Sequence, residues 1–226
     1  MEIPRYYYGN DYKQFEGYFL SKNPFYRHFN KGSILWTSGE TLRTVYYIRS
    51  GLMLTSVEHE DGYKKNLSFH GSGTVFPGCH ETVFKIEQSL ICKALSDMEV
   101  LVFSRDEFYR MYQQNMELRS QVLEWYATYI NLLIYGYAHQ DYNDAFTQLC
   151  NFLYIYIHHA PESENSMIIP LSQEMLGDFL GINRVHISNL MRRLKKEGIL
   201  ITKRNRLEII DYYKLLEYCS KESLEI

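Results

Sequence analysis

The stretch LSQEMLGDFLGINRVHISNLMRRLKKEGIL, residues 171–200, decides how the whole chain is read. Counted from Gln173, apolar residues fall at the fourth, eighth, tenth, fifteenth and eighteenth places: Leu176, Leu180, Ile182, Ile187 and Leu190. Gly177 and Gly181 take the fifth and ninth. This spacing predicts two helices crossed closely over a tight turn, a helix-turn-helix. Gly177 lets the helices approach, and Gly181 adopts a backbone conformation that a Cβ resists. Ser172 and Asn183 stand where N-caps belong. An ordinary helical hairpin with a packing role is the alternative, and charge separates the two.

Between Asn183 and Arg206 lie eight basic residues (Arg184, Arg192, Arg193, Lys195, Lys196, Lys203, Arg204, Arg206) and one acidic, Glu197. That window is strongly positive in a chain whose formal charge is −3. A local positive stripe on an acidic protein is the footprint of a phosphate-binding face, because each neutralised phosphate releases counterions. A merely solvated helix face would mix signs. The next segment, ITKRNRLEIID, reads as two short strands around a basic tip, residues 203–206, which is a wing, and Asp211 then caps a last helix, YYKLLEYCSK.

Outward from this module, the chain is long enough, at 226 residues and 46% hydrophobic, for one or two real cores. Charges are scattered through MEIPRYYYGNDYKQFEGYF, so no signal peptide is expected, and the apolar patch at 129–135 is too short to span a bilayer. Cys79, Cys92, Cys150 and Cys219 show no paired spacing and read as reduced thiols of a cytoplasmic protein.

Residues 1–26 are aromatic-rich and read as helical turns packed on the β-rich region beyond them. That region has short runs at 33–36, 45–48, 52–58 and 64–69, punctuated by Gly32, Gly39, Gly51, Asp61-Gly62, Gly71 and Gly73. Further runs lie at 89–95 and 99–103. Strands at such regular spacing predict a small antiparallel sandwich or barrel. From about Ser104 a long helix is expected. Along it Leu118, Val122, Trp125, Tyr129 and Leu132 recur at alternating spacings of four and three, a seam that asks for a partner helix and therefore a homodimer. Packing of that seam onto the chain's own barrel is the alternative. Polar residues 139–143 break the pattern and make a hinge candidate; Asn143 or Asp144 can cap the next helix, 145–159. PESENS (161–166) is a loop, and 167–170 a short strand.

Taken together, these features resemble the cyclic-AMP receptor protein/fumarate-nitrate regulator (Crp/Fnr) family of bacterial transcription factors over roughly residues 27–218. The winged helix carries the resemblance at one end. Gly39-Glu40, Tyr46-Tyr47-Ile48, Gly51, Asp61-Gly62 and Gly73, in the order and spacing of that family's effector domain, carry it at the other. The fold class implied is α+β and multidomain: an effector-sensing antiparallel β jelly-roll over 1–104, a long dimerisation helix over 105–140 and a winged helix-turn-helix over 141–226. The function implied is a homodimeric, sequence-specific regulator on double-stranded DNA carrying an inverted repeat, with RNA polymerase a further partner where binding activates.

In a helix-turn-helix the first turns of the second helix meet base edges in the major groove. Here those positions are Arg184, Val185, Ser188 and Asn189. Arginine bonds guanine bidentately and asparagine bonds adenine, so Arg184 and Asn189 are the direct readers, with Val185 suited to a thymine methyl. Ser172, Gln173, His186, Lys203, Arg204 and Arg206 are placed for phosphates, which set register. The family's usual triplet is an arginine, an adjacent glutamate, and an arginine four residues after that glutamate. Arg184 matches the first, whereas Val185 and Asn189 replace the others, so the usual half-site is not implied.

Cyclic-nucleotide-binding members hold the ribose with a glutamate in a Gly-Glu-Leu turn and the cyclic phosphate with an Arg-Ser pair. Aligned here, the turn reads Pro77-Gly78-Cys79 and the pair Gln88-Ser89. A neutral Gln does not replace the lost cation at a buried phosphate, which argues against cyclic AMP. An iron–sulfur cluster would need clustered N-terminal cysteines. Cys79-His80 leaves a haem-based gas or redox sensor open, and a constitutive DNA binder without effector is a second alternative. A small organic effector fits best, in a pocket of Phe69, Phe76, Gly78, Gln88, Ser89, Tyr126, Tyr129 and Asn131, aromatic walls suiting an aromatic or apolar ligand. No resident cofactor or metal is called for. Glycine-rich phosphate loops, HExxH, GxSxG and CxxC pairs are missing from the sequence, so catalysis is not expected.

Overall fold

Turn glycines between β-rich runs close a sandwich, and apolar helical periods build a second core. The computed structural model describes residues 1–225 apart from 38, 40–42, 79, 81, 83, 161–166 and 204–205. The chain divides into two units, Tyr7–Thr128 and, together, Met1–Tyr6 with Tyr129–Ile226. Glu40, Cys79, Arg204 and the PESENS run therefore lie outside the described residues.

The first unit contains β1 (Tyr7–Tyr8), α1 (Glu16–Leu20), β2 (Phe25–Phe29), β3 (Ile34–Trp36), β4 (Thr44–Ser50), β5 (Met53–Glu58), β6 (Lys64–His70), β7 (Thr74–Phe76), β8 (Leu90–Ala94) and β9 (Met98–Ser104). They form two sheets, ordered β1-β6-β5-β8-β3 and β2-β9-β4-β7. Pairing is antiparallel except that β1 runs parallel to β6. Fully buried Phe19, Tyr47, Ile48, Met53, Phe69, Met98 and Leu101 fill its core. The N-terminal aromatic run is not simply helical turns: it supplies β1 and the edge strand β2 as well as α1.

One long helix was expected from Ser104; the chain forms two, α2 (Arg105–Gln114) and α3 (Met116–Tyr142). Ser104 and Glu107 make a reciprocal capping box at the start of α2. Asn115 then leaves helical geometry, and its Oδ1 accepts the Leu118 N–H at 3.0 Å, so the side chain that ends one helix caps the next. At the far end, the expected break at 139–143 lies later. Helix α3 continues through Tyr142, and Gln148 Nε2 donates to the carbonyls of His139, Gln140 and Asn143, closing its C-terminus.

Burial along α3 corrects the expected seam. Leu118, Val122, Trp125 and Leu132 are buried within the chain itself, and Tyr129 is half-buried. A second stripe of the same period, Met116, Ser120, Leu123, Ala127, Ile130, Ile134 and Tyr137, is exposed, its large apolar members each by more than half. The helix thus carries two parallel heptad stripes offset by two positions, and the chain's own core takes the one that the pattern assigned to a partner.

The second unit contains α4 (Ala145–His159), β10 (Ile168–Ile169), α5 (Gln173–Leu180), α6 (Arg184–Lys196), β11 (Leu200–Lys203), β12 (Arg206–Ile209) and α7 (Tyr212–Glu217), with a sheet ordered β10-β12-β11. The expected N-caps are all in place: Asp144, Ser172, Asn183 and Asp211 each accept a backbone N–H of their helix. The Thr147 N–H at 2.8 Å holds the Asp144 carboxyl below its ordinary range. Its stabilisation is therefore present above the unfolded-state value and is lost as pH falls through the lowered one. Asp144→Ala is expected to cost about 1 kcal/mol at neutral pH and less near pH ~3, read from unfolding curves at the two values.

The domain limits shift accordingly. Residues 1–6 pack with the second unit, not with the barrel, and the division falls within α3 at 128/129, not at its two ends.

Candidate nucleic-acid interface

Two glycines set the crossing of α5 and α6. Gly181 sits at φ 71°, ψ 28°, the left-handed region, and ends α5 by donating its N–H to the Gly177 carbonyl. A Cβ on Gly177 would stand 2.6 Å from the Ile182 carbonyl oxygen, so the second helix can start where it does only because that atom is missing. Gly177→Ala is expected to lower stability by roughly 1–3 kcal/mol, measured by thermal unfolding, because backbone and not a flexible side chain must yield.

Asn183 then starts α6, accepting the His186 N–H at 2.9 Å. One side of the helix, Ile187, Leu190, Met191 and Leu194, is buried. The other presents Arg184, Val185, His186, Asn189, Arg192, Lys195 and Lys196 to solvent, with Ser188 half-buried beside them. Val185 is 73% exposed, an aliphatic side chain with no fold-stabilising burial to justify it. The four residues expected to read bases thus share the first turns of the exposed side.

Arg192, given no individual role from the sequence, belongs to this face: its Nη1 donates to Asn189 Oδ1 at 3.2 Å, orienting the amide from one turn further on. The i, i+3 spacing was the signal that could have found it. Arg193 lies against aromatic rings instead. Its guanidinium centre is 3.6 Å from the Phe146 ring and 5.8 Å from that of Tyr218, a cation–π packing role. Glu197, the single acid in the stripe, is paired with Lys214 at 3.3 Å, so it subtracts little from the local field.

Among the expected phosphate ligands, Ser172 Oγ accepts the Met175 N–H and retains its own proton to donate, and Gln173 stands beside it in the first turn of α5. Lys203 pairs with Glu208 on the adjacent strand of the wing, and Arg206 is exposed at its tip. The Lys203–Glu208 pair is solvated and worth little, so a phosphate can replace the carboxylate.

The expected effector residues are only partly gathered. Phe69 and Phe76 are buried in the barrel. A Cβ on Gly78 would lie 2.1 Å from the Tyr126 hydroxyl, which therefore sits directly on that turn. Ser89 donates its hydroxyl to the Ile86 carbonyl at 2.7 Å, and the Gln88 side chain is exposed. The residue that the 3-10 turn at Lys85–Ser89 turns inward is Glu87, which the family pattern gave no role. Its Oε1 is hydrogen-bonded to His80 Nε2, and Tyr126 OH lies 3.5 Å from His80 Nδ1. An ionised carboxylate only accepts, so Nε2 donates and, in the neutral ring, Nδ1 accepts from the tyrosine. Tyr129 and Asn131 belong to the second unit, where Asn131 lines a groove with Ile134, Tyr135, His139 and Tyr142; neither belongs to the barrel set.

Comparisons with known proteins agree with both units. Residues 26–115 match the cyclic nucleotide-binding domain and residues 147–218 the Crp-like helix-turn-helix domain. The fumarate and nitrate reduction regulatory protein of Vibrio cholerae is 27% identical over 205 residues, 85% of this chain and 78% of its own length. Among solved structures, FixK2 of Bradyrhizobium japonicum is similar in fold at 17% identity, with a TM-score of 0.73 over 87% of this chain and 98% of its own. A CooA mutant of Carboxydothermus hydrogenoformans is similar at 21% identity, TM-score 0.72, over 90% of both chains. Among the described residues no helix is long and apolar enough to cross a membrane.

Proposed function

Since the chain belongs to the Crp/Fnr family of transcription regulators, we propose that it is a cytoplasmic homodimer that reads an inverted repeat and whose DNA affinity is set by a small organic effector in the barrel. The observation that carries the DNA half is the first turns of α6, where Arg184, Val185 and Asn189 stand exposed with no packing role. Arg184 bonds guanine, Asn189, held by Arg192, bonds adenine, and Val185 covers a thymine methyl. Arg206, Ser172, Gln173, His186 and, once it leaves Glu208, Lys203 hold phosphates and fix the register. Two copies joined through the exposed stripe of α3 present two recognition helices to half-sites about one helical turn, roughly 34–36 Å, apart.

The effector reading rests on the cassette around Gly78. Where nucleotide-binding relatives supply a cation, this chain turns the buried carboxylate of Glu87 inward and leaves Gln88 outside. An anionic cyclic phosphate brought beside that carboxylate would suffer both desolvation and repulsion, so a neutral, aromatic or apolar effector is favoured over cyclic AMP. Haem ligation by His80 would first have to free one ring nitrogen, Nε2 from Glu87 or Nδ1 from Tyr126, which makes that reading secondary.

Selection of bound sequences from random duplex DNA by the purified protein, with and without small molecules from a cell lysate, tests the proposal. An inverted repeat is the expected outcome, enriched more strongly with lysate. Recovery of no sequence in either arm would overturn the DNA reading; the same repeat at the same enrichment in both arms would leave a constitutive binder.

A further inference from the structure

Glu87 is 7% exposed, and its two carboxylate oxygens are in different situations. Oε1 is bonded to His80 Nε2, whereas Oε2 is buried and accepts from no donor among the described residues. An oxygen of an ionised carboxylate held away from water without a donor is costly, and folding here does not recover that cost. The chain had a less costly choice one residue away. Gln88, neutral and next in the same 3-10 turn, is exposed instead. The acceptor turned inward is thus the one that the fold itself leaves unsatisfied.

The hydroxyls beside it are engaged elsewhere. Ser89 donates to the Ile86 carbonyl at 2.7 Å, and Tyr126 OH lies 3.5 Å from His80 Nδ1. Aromatic surface flanks the carboxylate–imidazole pair on both sides: the Phe84 ring lies 5.6 Å from that of His80, and the Trp125 ring 5.5 Å from that of Tyr126. Phe84 is more than half exposed, so apolar surface continues from the pair out to solvent.

We infer that Glu87 Oε2 is the polar anchor for the barrel's effector, and that the effector is an uncharged aromatic molecule carrying one N–H or O–H donor. This rests on the reading of the barrel as the effector site and narrows the chemistry of what it takes. One orphaned acceptor matches one donor. An ammonium brings three donors, and a buried site with a single open acceptor would leave the others unpaired and its charge desolvated. An anion meets the carboxylate's repulsion, and a molecule without a donor leaves Oε2 as it stands. The aromatic body suits the rings beside the pair.

Calorimetric titration of the full-length protein with two matched pairs tests this: indole against 1-methylindole, and 2-naphthalenemethanol against its methyl ether. Each pair keeps the rings and removes the donor. The donor-bearing member is expected to bind at least about tenfold more tightly to the unaltered protein. In Glu87→Met, which keeps a side chain of similar length without a carboxylate, the members of each pair are expected to bind alike. If Glu87→Met does not fold, Glu87→Gln, neutral whichever way its amide turns, is expected to cut the ratio to about threefold or less. Equal binding of both members by the unaltered protein overturns the anchor and leaves the barrel reading standing. So does a donor preference that survives the change at Glu87, since the donor then meets another group. Tighter binding of benzylamine than of either donor-bearing probe overturns the uncharged class. If none of the probes binds, the effector reading of the barrel falls and the anchor falls with it.

Discussion

Arg184→Ala is expected to weaken binding to the selected inverted repeat by about 1–3 kcal/mol per half-site, and to do so unevenly across sequences. Discrimination at the base pair facing position 184 should collapse, leaving the rest of the site read as before. The reason is geometric: the guanidinium is exposed at the first residue of α6 with no partner among the described residues, so its loss costs the protein no stability and removes only what it offers a guanine. Arg206→Ala is the contrasting case. A cation exposed on the wing, proposed to hold a phosphate and placed outside the recognition turns, is expected to weaken binding uniformly and to flatten the salt dependence by about one counterion. Titrations of both variants against the repeat and its single-base changes, at two salt concentrations, separate the roles. Identical sequence profiles for the two would mean that α6 touches only backbone.

Ile130→Glu is expected to convert the proposed dimer to a monomer and abolish tight binding to the proposed inverted repeat, leaving the monomer's fold intact. Ile130 is the middle of the exposed stripe on α3, flanked by Leu123 and Ile134, and a carboxylate there would have to be buried without a partner. Leu118→Ala should do the reverse. Leu118 is fully buried within the chain, so the truncation costs about 2–5 kcal/mol of stability without adding charge to the exposed stripe. Sedimentation gives the mass and thermal unfolding the stability of each. A monomeric Leu118→Ala that keeps its unfolding temperature, together with a dimeric Ile130→Glu, would put the subunit contact back on the inner stripe.

Much of the DNA-binding module was legible because its determinants are local. The caps Ser172, Asn183 and Asp211, the left-handed Gly181 and the strand pair flanking the basic tip each follow from a few adjacent residues. The burial of Ile187, Leu190 and Leu194 follows from a period of 3.6. In the barrel, β3, β4, β5, β6, β8 and β9 were legible from β-rich runs and turn glycines, whereas β1, β2 and the short β7 were not. Which residue of the Glu87-Gln88 pair turns inward was not, because a 3-10 turn rotates successive side chains by about 120° and neither residue is apolar enough to choose. Arg193 is a similar case. By composition it is one more cation of a phosphate-binding stripe, and only the placement of Phe146 and Tyr218 beside it makes it a packing residue.

What the sequence alone determined is therefore the kind of module at each end of the chain and the residues of α6 that face away from its core, since helical period, caps and turn stereochemistry act over a few residues. Tertiary structure decided the allocation of surfaces. Two stripes on α3 obey the same alternation of four and three, and periodicity cannot say which one the chain's own core will cover. Nor does any local signal in MEIPRY tell that Ile3 is buried and that Tyr6 packs with Phe152 and Phe179. An apolar side chain is indifferent to which hydrophobic surface removes it from water, so that choice is made only when the whole chain has closed.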